Sequence, residues 1–275
     1  MGKVKIGIMA PACRLPQAIA DQATALAAAQ FPDAELHFHP QCFLSSGHFA
    51  GDDAARTAAF LDIANDGSFD ALWFARGGYG AGRIGGAVIA KLAPTAKRKT
   101  YLGYSDTGFL LAGLYKAGCT VAHGPMVHDL KRENGEIPAK RALDFLVNRA
   151  KATLEPSVPD GAPAAAFNMI ILSMMMGTAL EPDLADHVLM LEEVSEHLYA
   201  IDRVLFHLTS IPAIRKVAGI RFGRCSDIPE NDYPFGQSVE EITRHWCAVS
   251  GIPYLGTADI GHDIENKVVP FGRWT

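Results

Sequence analysis

Short apolar runs alternate with longer stretches of helical period through the first half of the chain. Residues 4–9, 35–39, 71–75, 100–103 and 120–122 are brief and apolar, and the alternation of Val4, Ile6 and Ile8 suits a first strand. Between them, Ala-rich stretches at 17–29, 53–64, 83–92 and 109–117 predict helices. Strands and helices of these lengths in alternation predict βαβ units and a parallel sheet. Ligands meet such sheets at the carboxyl ends of their strands, so the chemistry is expected at 11–14, 76–80, 103–107 and 123–125. The stretch 154–163 holds three prolines and a glycine, has neither period, and reads as an exposed crossing. Beyond it come strands at 187–192, 219–223 and 254–256 and helices near 199–209 and 239–248. The pattern predicts an N-terminal domain over 1–150, a linker over 151–167 and a C-terminal domain over 168–275.

Composition narrows the class. Hydrophobic residues make up 49% of the 275 and charged residues 20%, enough to bury a sizeable core. The net charge of -5 offers no basic surplus for nucleic acid or an anionic membrane surface. The longest apolar stretch, 169–176, is eight residues broken by Ser173, far short of the ~20 that span a bilayer. Core packing is the simplest reading of Met174–Met176. The basic, then apolar start with Cys13 has the look of a lipoprotein signal, but its apolar run is short and its alternation is that of a strand. Five cysteines, none in C-x-x-C spacing, predict reduced thiols and a cytoplasmic protein.

The sharpest motif is Leu102-Gly103-Tyr104-Ser105-Asp106-Thr107, where a predicted strand ends, a Ser follows a Gly by two and a helix begins. A nucleophile elbow has this layout, although Thr107 stands where G-x-S-x-G has its second Gly. Taken alone, the hexapeptide reads first as an ordinary helix cap by Ser105 or Asp106, and only second as an elbow. The loop Arg76-Gly77-Gly78-Tyr79-Gly80-Ala81-Gly82 holds four glycines in six residues, which frees backbone N–H groups to turn toward an anion. Glu192 and Glu193 close an apolar strand and face opposite ways, so at most one serves a given cleft. Their bland alternative is a solvated acidic turn. His262 follows Gly261 in a polar loop and has the chemistry of a general base. The order Ser, acid, His is that of an activated hydroxyl, its orienting acid and its base.

With these blocks the chain resembles the serine LD-carboxypeptidases of peptidase family S66, which include murein tetrapeptide LD-carboxypeptidases and microcin-C-cleaving immunity proteins. Met9-Ala10-Pro11-Ala12, Phe49-Ala50-Gly51 with Arg56, Ala75-Arg76-Gly77-Gly78-Tyr79-Gly80 and Gly103-Tyr104-Ser105-Asp106 carry the resemblance. It continues in His123-Gly124-Pro125, Asn168, Leu191-Glu192, Arg203 and Gly261-His262, and so covers nearly the whole chain. The resemblance implies a Rossmann-like parallel-sheet domain followed by a smaller α/β domain of swivelling, barrel-like form, with the site between them. It implies Ser105 as nucleophile, Glu192 as orienting acid, His262 as base, and the N–H groups of Gly78 and Asp106 as oxyanion hole. It also implies no metal or organic cofactor and a homodimer. The run Ala165-Ala166-Phe167 departs from the Gly pair common before the Asn.

The expected activity is removal of terminal D-Ala from murein tetrapeptides, with Arg76 as a candidate for binding the substrate carboxylate. The immunity branch, which cleaves an aminoacyl-nucleotide amide, stacks a base on loop aromatics. Trp246, on a predicted helix, and Trp274, near the end, do not supply that platform. Two α/β units around a cleft also describe a binding or sensor protein without chemistry. A cysteine hydrolase built on Cys119 or Cys225 lacks an elbow-like strand end.

Overall fold

The computed structural model describes residues 2–158 and 161–274. Five parallel strands form the front sheet: β1 (Val4–Met9), β2 (Ala34–Phe38), β3 (Ala71–Phe74), β4 (Thr100–Gly103) and β5 (Thr120–His123). They lie in the order β5-β4-β3-β1-β2. The chain therefore leaves β1 for one edge and returns to pair β3 on its other side. That reversal opens a crevice at the carboxyl ends of β1 and β3, where doubly wound sheets bind ligands.

Side chains along the strands alternate between two apolar layers. Ile6, Ile8, Trp73 and Leu102 face the layer shared with α1 (Gln17–Gln30) and α5 (Glu136–Asn148). Met9, Leu72, Phe74 and Tyr101 face α2 (Asp53–Asn65), α3 (Ala81–Ile89) and α4 (Gly108–Lys116).

The second sheet is parallel, in the order of β6 (Ala164–Asn168), β7 (Val188–Val194), β8 (Gly219–Ser226) and β9 (Tyr254–Thr257). The connecting helices are α6 (Met169–Met175), α7 (Leu198–Ser210) and α8 (Val239–Ser250). A Ser238/Glu241 capping box starts α8 and Gly251, in the left-handed region, stops it. The α/β class, the parallel front sheet and the smaller second unit are all present, and the smaller sheet is open, with β6 and β9 at its edges.

Four elements escaped the sequence reading. One is α5, and a second is α6, which lies in the apolar run read only as core packing. Another is β6, which begins at Ala164 inside the stretch read as linker. The fourth is β10 (Val269–Pro270), which leaves the second half and pairs antiparallel with β5 at the edge of the front sheet. One apolar core runs from the α2–α4 face of the front sheet through Phe167, Met169 and Leu172 to Leu189, Leu191 and Ile201. Of the three methionines read as core, Met175 is fully buried but Met174 is 63% exposed, because it lies on the outer face of α6. Among the described residues no helix is long and apolar enough to cross a membrane, and all five cysteines are free.

Candidate active site

The elbow is built by close packing. A Cβ on Gly103 would lie 2.7 Å from both Phe74 Cδ2 and Thr107 Oγ1, so only glycine ends β4 here. Ser105 then takes φ 60°, a left-handed backbone that costs an L-residue about 1–3 kcal/mol and is concentrated at functional sites. Neither Ser105 nor Asp106 caps the helix that follows, which overturns the capping reading. Asp106 is 1% exposed and reaches across to the Gly-rich loop, where its carboxylate accepts the Ala81 N–H at 2.8 Å and also that of Gly80. Burial pushes its pKa up to about 6, and the two N–H bonds only partly offset this.

The Gly-rich loop sits at the β1/β3 crevice. A Cβ on Gly77 would lie 3.2 Å from Ser105 Cβ and 3.4 Å from Oγ. Gly78 has φ 114° and packs on Cys13, whose sulfur would lie 2.9 Å from a Cβ there. Among the described residues the N–H groups of Gly77 and Gly78 have no hydrogen-bond partner. Fully buried Arg56 fixes the far end of the loop through Gly80 O at 2.9 Å.

The second sheet delivers the acid and the imidazole. Glu192 is fully buried on β7, and its Oε2 accepts the His262 Nδ1–H at 2.5 Å. Burial alone lowers the His262 pKa, but the charge and hydrogen bond of Glu192 outweigh it and hold the imidazole above its ordinary value. A bulge between β7 and β8 admits the His262 loop. Gly223 leaves room for Ile260 O, which would lie 2.5 Å from a Cβ there, and the Arg224 N–H donates to that oxygen at 2.9 Å. Arg224 then forks onto Asp263 and reaches Asp259 at 2.5 Å, bracing the loop on both sides of His262. Glu193 faces the other way, accepting from Asn168 Nδ2 at 2.6 Å and Ile170 N–H at 3.0 Å. The two carboxylates thus have separate partners and are buried, which overturns the solvated-turn reading.

The two halves meet at Tyr104. Its ring lies 4.8 Å from that of His262, and its hydroxyl donates to Asp129 at 2.8 Å. Ser105 is the next residue, so the elbow and the imidazole share one corner. Among the described residues no hydrogen bond joins Ser105 to His262; such bonds commonly tighten only when substrate binds. Behind the imidazole, Asn266 Oδ1 accepts the Gly261 N–H at 3.3 Å and faces Nε2 of buried His123 at 3.2 Å. Arg76 is half-buried, and its one partner among the described residues is Arg14 O at 3.5 Å. Burial pushes the Cys225 thiol up to about 12 and also raises that of Cys119, opposite to what a nucleophilic thiolate needs.

The sequence reading missed Tyr104, Asp129, Arg224 and Asn266 as parts of the site. Tyr104 lay inside the quoted elbow motif, whereas the others carried no local signal.

Models of the LD-carboxypeptidase N-terminal and C-terminal domains match residues 6–124 and 164–275. A probable murein peptide carboxypeptidase of Bacillus subtilis is 28% identical over 241 residues, covering 82% of this chain and 74% of that protein. Murein tetrapeptide carboxypeptidase of Pseudomonas aeruginosa is 27% identical over 223 residues, covering 74% and 70%. The crystal structure of muramoyltetrapeptide carboxypeptidase from Oxalobacter formigenes is similar with a TM-score of 0.82 at 22% identity, over 97% of this chain and 93% of that one. A microcin C7 self-immunity protein is similar with a TM-score of 0.78 at 15% identity, over 100% and 97%. At these identities the two structures speak for the fold, and the domain models speak for descent. From the strand-end serine to the histidine loop, this chain belongs to the LD-carboxypeptidase family.

Proposed function

We propose that the protein is a serine-type LD-carboxypeptidase that releases terminal D-Ala from murein tetrapeptides. The observation that carries the reading is the 2.5 Å bond between buried Glu192 and His262, set beside an elbow that holds Ser105 at φ 60°. In this mechanism His262 takes the Ser105 proton as Oγ attacks the scissile carbonyl. Glu192 fixes the tautomer through Nδ1–H and stabilises the imidazolium that forms. The N–H groups of Gly78 and Asp106 hold the developing oxyanion, each worth ~3–4 kcal/mol in comparable sites. His262 then gives its proton to the departing amine, and water releases the acyl group by the same steps. Arg76, at the head of the Gly-rich loop, is a cation for a substrate carboxylate.

The division into a serine-bearing domain over 1–150, a linker over 151–167 and an acid- and base-bearing domain over 168–275 belongs to the same proposal. So do a cytoplasmic location, which free cysteines suit, and a homodimeric state, which light scattering checks. Incubation with a murein tetrapeptide, an aminoacyl-nucleotide amide and no substrate, read by mass, tests the function. The expected products are tripeptide and D-Ala. Cleavage of the nucleotide amide alone, or binding of either compound without turnover, overturns the reading.

A further inference from the structure

The proton route fixes which side of Ser105 the leaving group occupies. The base that accepts the serine proton later protonates the departing amine, so the C-terminal residue lies on the His262 side. Its free carboxylate therefore needs a cation on that side. Arg76, at the head of the Gly-rich loop, has only Arg14 O as a partner among the described residues, at 3.5 Å.

Arg132 is placed for this task. It follows the turn after β5, and its side chain is 38% exposed. Its Nε donates to Asp129 Oδ1 at 3.0 Å and its Nη2 reaches the Tyr104 hydroxyl at 3.5 Å. Tyr104 is the residue before Ser105, and its ring lies against that of His262. Asp129 is buried and holds Tyr104 and the Met126 N–H as well, so one face of the guanidinium is fixed. Among the described residues its Nη1 has no partner. The charges of Asp129 and Arg132 are also felt by His262 and Asp263 respectively, which places this ion pair beside the histidine loop. Arg76, Lys131 and Arg132 all bear on His128 against the single opposing charge of Asp129, so the surroundings of His128 are locally basic in a chain of net charge -5. A pre-oriented guanidinium with a free donor edge is the usual partner of a carboxylate.

We infer that Arg132 recognises the C-terminal carboxylate of the substrate and makes the enzyme an exopeptidase. This rests on the hydrolase reading above. The test compares two tetrapeptides that differ only at the C-terminus, one the free acid and the other the amide. Wild-type kcat/KM should favour the acid by about 10-fold or more, the range of a charge-assisted hydrogen bond. In Arg132→Gln the preference should fall toward one, chiefly through a raised KM for the acid, and Arg132→Lys should restore part of it. Equal losses on both peptides would mean that Arg132 only braces Tyr104, and would overturn the inference. A second measurement needs only wild-type protein: raising ionic strength should lower kcat/KM more steeply for the acid than for the amide. Parallel salt slopes would overturn the inference as well. Wild-type protein that cleaves neither peptide and is not labelled at Ser105 by a fluorophosphonate defeats the hydrolase reading itself.

Discussion

His262 is the residue whose chemistry is most exposed to measurement. It works as a base only when neutral, and the Glu192 carboxylate holds its pKa above the ordinary value. Activity should therefore fall as the pH drops through a point above ~6.5, the unperturbed imidazole value. Glu192→Gln removes the charge that sustains the shift. Its pH–kcat/KM profile should have an acid limb at lower pH and a plateau lower by roughly 10³-fold or more. An unmoved limb would assign the titration to another group. Ser105, Glu192 and His262 were legible in the sequence because each ends a strand or follows a glycine in a loop. Arg132 and Asn266 were not, since what ties each to the site is distant in sequence: Arg132 reaches Tyr104 across 28 positions, and His123 and Asn266 meet across 143.

The Gly-rich loop and α3 act as one element, tied to the elbow by Asp106. Gly78→Ala puts a Cβ on a φ of 114° and against the Cys13 sulfur. It should lower kcat by about 10²-fold or more if the loop supplies an oxyanion donor, and also lower the melting temperature, since an Ala is strained at that φ. Asp106 makes a separate prediction. Its pKa is raised from 3.8 to about 6, so between those values the unfolded chain releases this proton before the folded one does. Ionising Asp106 thus costs folding stability progressively over that interval, in full above pH 6, by about 3 kcal/mol. The melting temperature of Asp106→Asn, measured relative to wild type, should rise between pH 4 and 6.5. A constant difference would mean that Asp106 titrates normally. Most strands and helices were legible from their periods. Those missed had reasons: β10 is two residues long, and β6 opens with three alanines directly after a Pro-rich run. Its pairing with β7, set by register and not by local propensity, is what makes it a strand.

At the scale of the molecule the two sheets are not independent. The core runs through both, β10 returns to the front sheet, and Arg141 of α5 donates to Ile264 O and Asn266 O at 2.8 Å each. Calorimetric unfolding should show one transition with matching calorimetric and van't Hoff enthalpies, and two resolved transitions would contradict a shared core. The same junction brings Ser105 from the first sheet to His262 and Glu192 from the second. The measurement that bears on this most directly is single-turnover cleavage of an LD-peptide bond by Ser105→Ala, His262→Ala and the double variant. The account predicts that each single change abolishes nearly all turnover and that the double variant is scarcely worse than either, as for groups that act as a unit. Wild-type turnover in Ser105→Ala, or losses that multiply independently in the double variant, would contradict it.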